Sequence, residues 1–369
     1  MRSFYIDYSN KKLYLIPPSG YTIQDVDIKL AYTTFGTQVQ GVFYGNSTSL
    51  NLTFERINFD GFRSRIFSDG IGGTKFYRCI FKNANDYFIN GTENDNSNTE
   101  IRMCKFGYGN SEAIHLTAGN RTTLTSGNVK IYNCIFSELG FNNFMSAYRP
   151  SIEIHGVGFE VQGNKIYLSP GLGILFRGNN NVFNNNIFEY QAYEAGDSGA
   201  LYSGRDWTFR GNEITNNIFR AGIFQDTNGM NSATYLDDCF SSANVKENTY
   251  YNYQVGIQMG RGRDNIITGN KMIGCAIGIS ADARGTNMSD SDFSELRNNM
   301  LAVPYNKAPY TTEYPAISTL NNASFNIKSQ NGVPYGNTIQ NNIATECNED
   351  YNIEAPVITN GRVNNNTSN

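Results

Sequence analysis

What most limits how this chain can fold is a repeat. The segments YRCIF, IRMCKF, IYNCIF, GNKIY, NNNIF, TNNIF, ENTYY, GNKMI, RNNML and QNNIA follow one another along it. Their last or near-last apolar residues align as Phe81, Phe106, Phe136, Tyr167, Phe188, Phe219, Tyr251, Ile273, Leu301 and Ala344, and Phe59 fits one step earlier. The shortest steps (Phe59 to Phe81, Tyr167 to Phe188, Tyr251 to Ile273) are 21 or 22 residues. From Asn133 onward an asparagine stands three residues before each aligned position: Asn133, Asn164, Asn185, Asn216, Asn248, Asn270, Asn298 and Asn341. A second column falls between these segments, in RIFSDG, YFING, AIHLTAG, IEIHGVG, ILFRGN, ALYSGRD, TYLDD, IQMGRG and GISADARG. Each is a short apolar run that breaks into Gly, Asn or Asp. Short strands at a fixed period mark a solenoid, and no amphipathic helical pattern of useful length separates them. A leucine-rich repeat has a similar period, but its LxxLxLxxN pattern is missing. The expected fold is therefore all-β, a right-handed parallel β-helix with coils of about 22 residues stacked about 4.8 Å apart.

Stacking gives the repeated residues a cause. In-register coils place like residues above one another, so amides can bond along the axis and aromatic rings can fill the interior. Asn also tolerates the left-handed bend between sheets. Cys79, Cys104 and Cys134 share one coil phase and are expected to stack inside as free thiols. No CxxC pair occurs among the six cysteines, so no zinc site is expected. The reading is one β-helix domain over 1–345, with irregular strands over 1–41 and a proline-rich, coil-breaking insertion at 302–335. Regular coils run from about Val42 to Met300, and 346–369 is a frayed tail. The N-terminus alternates apolar and polar residues without the apolar core of a signal peptide. An open first coil would expose a sheet edge, which points to a further N-terminal region. Net charge is −4 with no basic run, against nucleic acid as a partner. No apolar run is long enough for a membrane span.

The chemistry is expected between Asp197 and Asp238, where the segments are longer than the repeat needs. Loops that lengthen one edge of a solenoid tend to share one face. Aligning the second column puts His115, His155, Arg177, Arg205, Asp206, Asp237, Asp238, Arg261, Arg263, Asp282 and Arg284 along one ledge. Such mixed charge fits an uncharged or weakly charged glycan. Asp197 and Asp238 lie on successive coils, and paired carboxylates across a sugar are what glycoside hydrolysis needs. Asp237 is expected to help hold Asp238 protonated by like-charge repulsion, or else to cap the turn. His155, Arg177, Arg205, Asp206, Trp207, Asp237 and Arg261 are the candidate substrate-binding residues. Trp207 is a candidate for stacking on a sugar ring, whereas Tyr202 is read as core. No metal and no cofactor are expected, and the chain is read as a monomer.

At these residues the sequence resembles a known family. PSIEIHGVGFEVQGNKIYLSP, GILFRGNNNVFNNNIFEY, DSGALYSGRDWTFRGNEITNNIF, TYLDD and GRGRDNIITGNKMIGCAIGISADARG resemble the bacterial right-handed parallel β-helix proteins related to glycoside hydrolase family 141. LYLIPP and YNKAPYTTEYPAI resemble their opening and late segments. The resemblance is strongest from about Arg149 to Gly285. It implies an α-L-fucosidase- or xylanase-type hydrolase of plant cell-wall glycans, extracellular or periplasmic, with Asp197 and Asp238 as the catalytic pair. Two alternatives stay open. A polysaccharide lyase or epimerase could use Arg205, Arg261 or Arg263 beside a uronate, often with Ca²⁺, although no Lys lies between Lys165 and Lys246. A non-catalytic glycan-binding β-helix would use the same scaffold.

Overall fold

The structure, a computed structural model, describes residues 3–7, 12–16, 43–44, 51–62, 65–92, 96–140, 149–193, 196–221, 231–320 and 331–368. Among the described residues, three parallel sheets of eleven strands each run along one axis. Each coil contributes one short strand to every sheet, which makes the fold a right-handed parallel β-helix. Strands Ser3–Asp7 and Lys12–Ile16 stand apart as an antiparallel pair.

The interior is built from stacked like residues. Phe59, Phe81, Phe106 and Phe136 form one column with ring centroids 4.6–4.8 Å apart and nearly parallel planes. Phe188, Phe219 and Tyr250 continue it at 4.6 and 4.9 Å. That spacing is the strand separation itself, so the sheet register imposes it. The true inward partners are Ile166, Tyr250 and Met272, one residue before Tyr167, Tyr251 and Ile273. Strand alternation turns those three outward.

The asparagines divide into two jobs that the sequence alignment merged. Asn164, Asn186, Asn217, Asn248, Asn270, Asn342 and Asn366 form a ladder. Each side-chain amide donates to the Oδ1 of the next at 2.9–3.0 Å. Each Oδ1 also accepts the backbone N–H of the residue before it in the ladder. Asn133, Asn185, Asn216 and Asn341 sit one residue earlier, at φ of 55–57°, and make the bend instead. The ladder begins as sulfur: Cys134 N–H donates to Asn164 Oδ1 at 2.9 Å, and Cys104 N–H approaches Cys134 Sγ at 3.4 Å. The cysteines are free, and Cys79, Cys104 and Cys134 are buried.

Coil length varies where loops leave the barrel. The ladder step is 22 residues from Asn164 to Asn186, 31 from Asn186 to Asn217 and 72 from Asn270 to Asn342. The longest step contains an α-helix, Asp290–Leu301, which places the coil-breaking excursion earlier than 302. Ser289 caps its first turn by accepting from Asp292 N–H, and Asp290 and Asp292 suit the positive end of its dipole. Asn298 and Leu301 lie in this helix, so RNNML is not a coil segment. Phe293, Leu296 and Met300 pack with Met288, Tyr310 and Trp207 into a second, separate core. The C-terminal residues are not frayed. Glu349–Ile353, Arg362–Asn364 and Thr367–Ser368 each add the last described strand to one of the three sheets.

Candidate functional site

The site lies on the outer face of the third sheet. Strands Ile152–Val157, Ile174–Asn179, Ser198–Ser203, Asn231–Leu236, Val255–Gly260 and Ile277–Asp282 run side by side there. Register lines up Leu175, Tyr202, Tyr235 and Gln258. Leu172, Leu175, Tyr202 and Tyr235 form a small apolar cluster outside the main core. The two tyrosine rings meet edge to face at 5.2 Å.

Just beyond this row the strands end in tight turns that carry the charges. Asp238 and Cys239 have φ of 29° and 68°, a sparsely populated backbone for two successive non-glycine residues. Phe240 N–H closes the turn on Asp237 O at 2.9 Å. Gly204 lies opposite on the preceding coil, where any Cβ would come within 2.9 Å of Asp237 Cβ. Only glycine lets Asp237 occupy that position.

Asp237 accepts from the Tyr202 hydroxyl at 2.8 Å, from its neighbour's backbone N–H at 2.7 Å, and from Arg284. It is 8% exposed. Burial raises its pKa above the ordinary aspartate range; the charge of Asp238 adds to this, and Arg284 and the Tyr202 bond oppose it. Asp238 is held differently. Arg205 Nη1 donates to its Oδ2 at 2.7 Å and Arg261 Nε to its Oδ1 at 3.0 Å. Arg284 lies 3.7 Å from that same Oδ1. The like charge of Asp238 thus acts to hold a proton on Asp237.

Asp197 precedes strand Ser198–Ser203, whereas Asp237 and Asp238 follow the next coil's Asn231–Leu236. Register alone would put them at opposite ends. The Tyr235 side chain bridges them: its hydroxyl donates to Asp197 Oδ1 at 3.1 Å and lies 3.3 Å from Arg284 Nη2, which bonds Asp237. Burial, and then the charge of Asp237, push the Tyr235 hydroxyl pKa up, so it remains a donor.

A cleft of about 360 Å³ opens beside this network, lined among others by His155, Arg177, Tyr202, Arg205, Asp206 and Glu295. Arg205 is held by the helix of the second core. Glu295 accepts from its Nε and Nη2 at 2.9 and 2.8 Å, Asp292 accepts at 3.1 Å, and Asn299 Nδ2 donates to its carbonyl at 2.8 Å. No hydrogen bond or ion pair among the described residues engages the Arg177 side chain, which is exposed. His155 Nε2 and Glu153 Oε1 are 2.7 Å apart. The Glu153 carboxyl stays below its ordinary range: burial pushes it up, but the His155 bond and both histidines' charges outweigh that. Burial lowers the pKa of His115.

Three expected substrate contacts are committed elsewhere. Trp207 is fully buried and packs against Phe293 with ring centroids 6.1 Å apart; its indole holds the helix and is not available to stack on a sugar. Asp206 is 1% exposed. One of its oxygens caps Thr208 at 2.7 Å and the other accepts from Arg121 at 3.1 Å. Arg261 is buried against Asp238. Tyr202, read as core, is buried in the small apolar cluster and also lines the cleft. Glu153, Tyr235, Glu295 and Arg121 were missed. The outward alternation of TYLDD could have found Tyr235. Nothing local in the sequence marks Arg121, which reaches Asp206 across 85 residues.

The chain matches no protein-family model and no curated protein. Among solved structures it is similar to the Azotobacter vinelandii mannuronan C-5 epimerase AlgE4 A-module, at 8% identity and a TM-score of 0.25 over 93% of this chain and 89% of that one. A likeness that slight decides nothing about the site. The fold rests on the strand register.

Proposed function

We propose that this protein is a polysaccharide-active glycoside hydrolase whose acid is Asp237 and whose second carboxylate is Asp197. The observation that carries the reading is the run of contacts that joins these two aspartates: the Tyr235 hydroxyl donates to Asp197 and accepts from Arg284, which bonds Asp237. Asp237 is buried with a raised pKa, as a general acid needs, and a second carboxyl across the sugar supplies the base or nucleophile. Asp237 protonates the leaving glycosidic oxygen, and Asp197 attacks the anomeric carbon or activates water. Asp238, ringed by Arg205, Arg261 and Arg284, fixes the turn that aims Asp237. The reading keeps the expected coil pair but moves the acid one residue, from Asp238 to Asp237.

A second reading is favoured by one observation, the exposed Arg177 in the cleft, whose side chain makes no hydrogen bond or ion pair among the described residues. Such a guanidinium suits a uronate carboxylate, as elimination or epimerisation would need. Incubation with a panel of cell-wall and uronate polysaccharides separates the two. Hydrolysis predicts new reducing ends without unsaturated sugars, lost on Asp197→Asn and on Asp237→Asn. Unsaturated uronide products, or altered uronate stereochemistry without cleavage, would replace it with the second reading.

A further inference from the structure

His115 and His155 stand on neighbouring strands, Ile114–Ala118 and Ile152–Val157, whose register sets His115 beside Glu153 and Thr117 beside His155. Their rings meet edge to face, 5.3 Å apart. Both imidazoles turn the same nitrogen toward one carboxylate oxygen: Nε2 of His155 lies 2.7 Å from Glu153 Oε1, and Nε2 of His115 lies 3.7 Å from it. The ligating atoms of all three residues lie within 4.8 Å of one another. Their side chains are 13–30% exposed.

We propose that His115, Glu153 and His155 are three ligands of a divalent transition-metal ion, with zinc the best match. Two imidazoles and a carboxylate are a zinc or iron donor set; calcium and magnesium prefer oxygen alone. Ligand atoms about 2.0–2.1 Å from a tetrahedral zinc lie roughly 3.3 Å from one another. The two distances here, 2.7 and 3.7 Å, fall either side of that, so small side-chain rotations on a fixed backbone complete the set. The backbone is fixed because both strands lie inside an eleven-stranded sheet. Three protein ligands leave a fourth position for water, and His155 lines the cleft, so that water would have access from the cleft. Arg177 faces His155 across the next strand pair and weakens the attraction for a cation. The neighbouring Glu112, paired with Arg149 at 3.3 Å, leaves that balance nearly unchanged.

The sequence alone pointed to no zinc site because no CxxC pair occurs, and to no metal because a pair of aspartates needs none. These ligands come from separate coils, and only the stacking brings them together. The inference does not depend on which aspartate is the acid.

The test uses the full chain, stripped with a chelator and titrated with Co²⁺ as a coloured stand-in for Zn²⁺. The expected result is a visible absorption band that saturates at one equivalent and is abolished by Zn²⁺. Glu153→Gln, close in shape to the native residue, and His115→Ala should each weaken binding by at least about 10–100-fold, the loss typical of removing even an outer partner. Asp237→Asn should bind as the native chain does, so failure of the hydrolase reading would leave this result standing. Circular dichroism confirms that each variant is folded, and Glu153→Gln alone suffices if His115→Ala is not. No saturable band, or Glu153→Gln binding Co²⁺ as tightly as the native chain, would overturn the proposal.

Discussion

Asp237 is a buried carboxyl whose native pKa is raised. The native state therefore holds a proton that the unfolded chain releases at lower pH. Asp237 contributes stability below the ordinary aspartate pKa, and that contribution is lost as pH rises through the raised native value. Replacing it with Asn removes the dependence. Melting curves of Asp237→Asn should lie closer to the native protein at acid pH than at neutral pH, where the variant gains relative stability. Equal shifts at every pH would show that burial is not what raises this group. The cysteines make a second residue-scale case. The hydrogen bond with the Cys104 sulfur, and then burial, raise Cys79, and the Cys104 thiol is pushed up to about 12. Titration with a thiol reagent should recover all six cysteines from unfolded, unreduced chain. Recovery only after reduction would contradict the free-thiol stack.

At the scale of elements, the Asn ladder and the helix carry different information. Asn217 accepts the Asn186 backbone N–H at 2.9 Å and donates to Phe183 O at 2.9 Å, both buried. Asn217→Ala strands both groups. At about 1–3 kcal/mol per orphaned buried group, the variant should lose on the order of 2–6 kcal/mol by denaturant unfolding. Asn366, at the end of the ladder, should cost less. The ladder was legible because every coil repeats it. Its exact column was not, since the bend residue and the ladder residue are adjacent and both favour Asn, for different reasons. The helix Asp290–Leu301 was not legible, because its RNNML end imitates a coil segment. Trp207 was misread for a related cause. It was taken as a sugar platform because it is the single tryptophan beside the acidic loops, but the helix that buries it is 80 or more residues further on. Trp207→Ala should cost about 3–5 kcal/mol and loosen Arg205 through the helix that holds it.

Across the whole molecule, the sequence carried the fold further than the site. A solenoid writes its architecture once per coil, so imperfect copies reveal a parallel β-helix even where coil lengths differ. A site is written once. Asp237, Asp238, Arg205 and His155 could be placed on one ledge because they lie in or just after the second-column runs, whereas Asp197 precedes its run. Their pairing could not, because it depends on where long side chains such as Tyr235 and Arg284 end, and on a helix from outside the repeat. The central claim is that Asp237 supplies the proton to the leaving oxygen. The most direct test compares turnover of Asp237→Asn on a polysaccharide or alkyl glycoside with turnover on an aryl glycoside of the same sugar. An aryl leaving group with a low pKa needs no protonation. The account predicts that the variant loses turnover on the first substrate and keeps most of it on the second. Equal loss on both, or no loss on either, would contradict it.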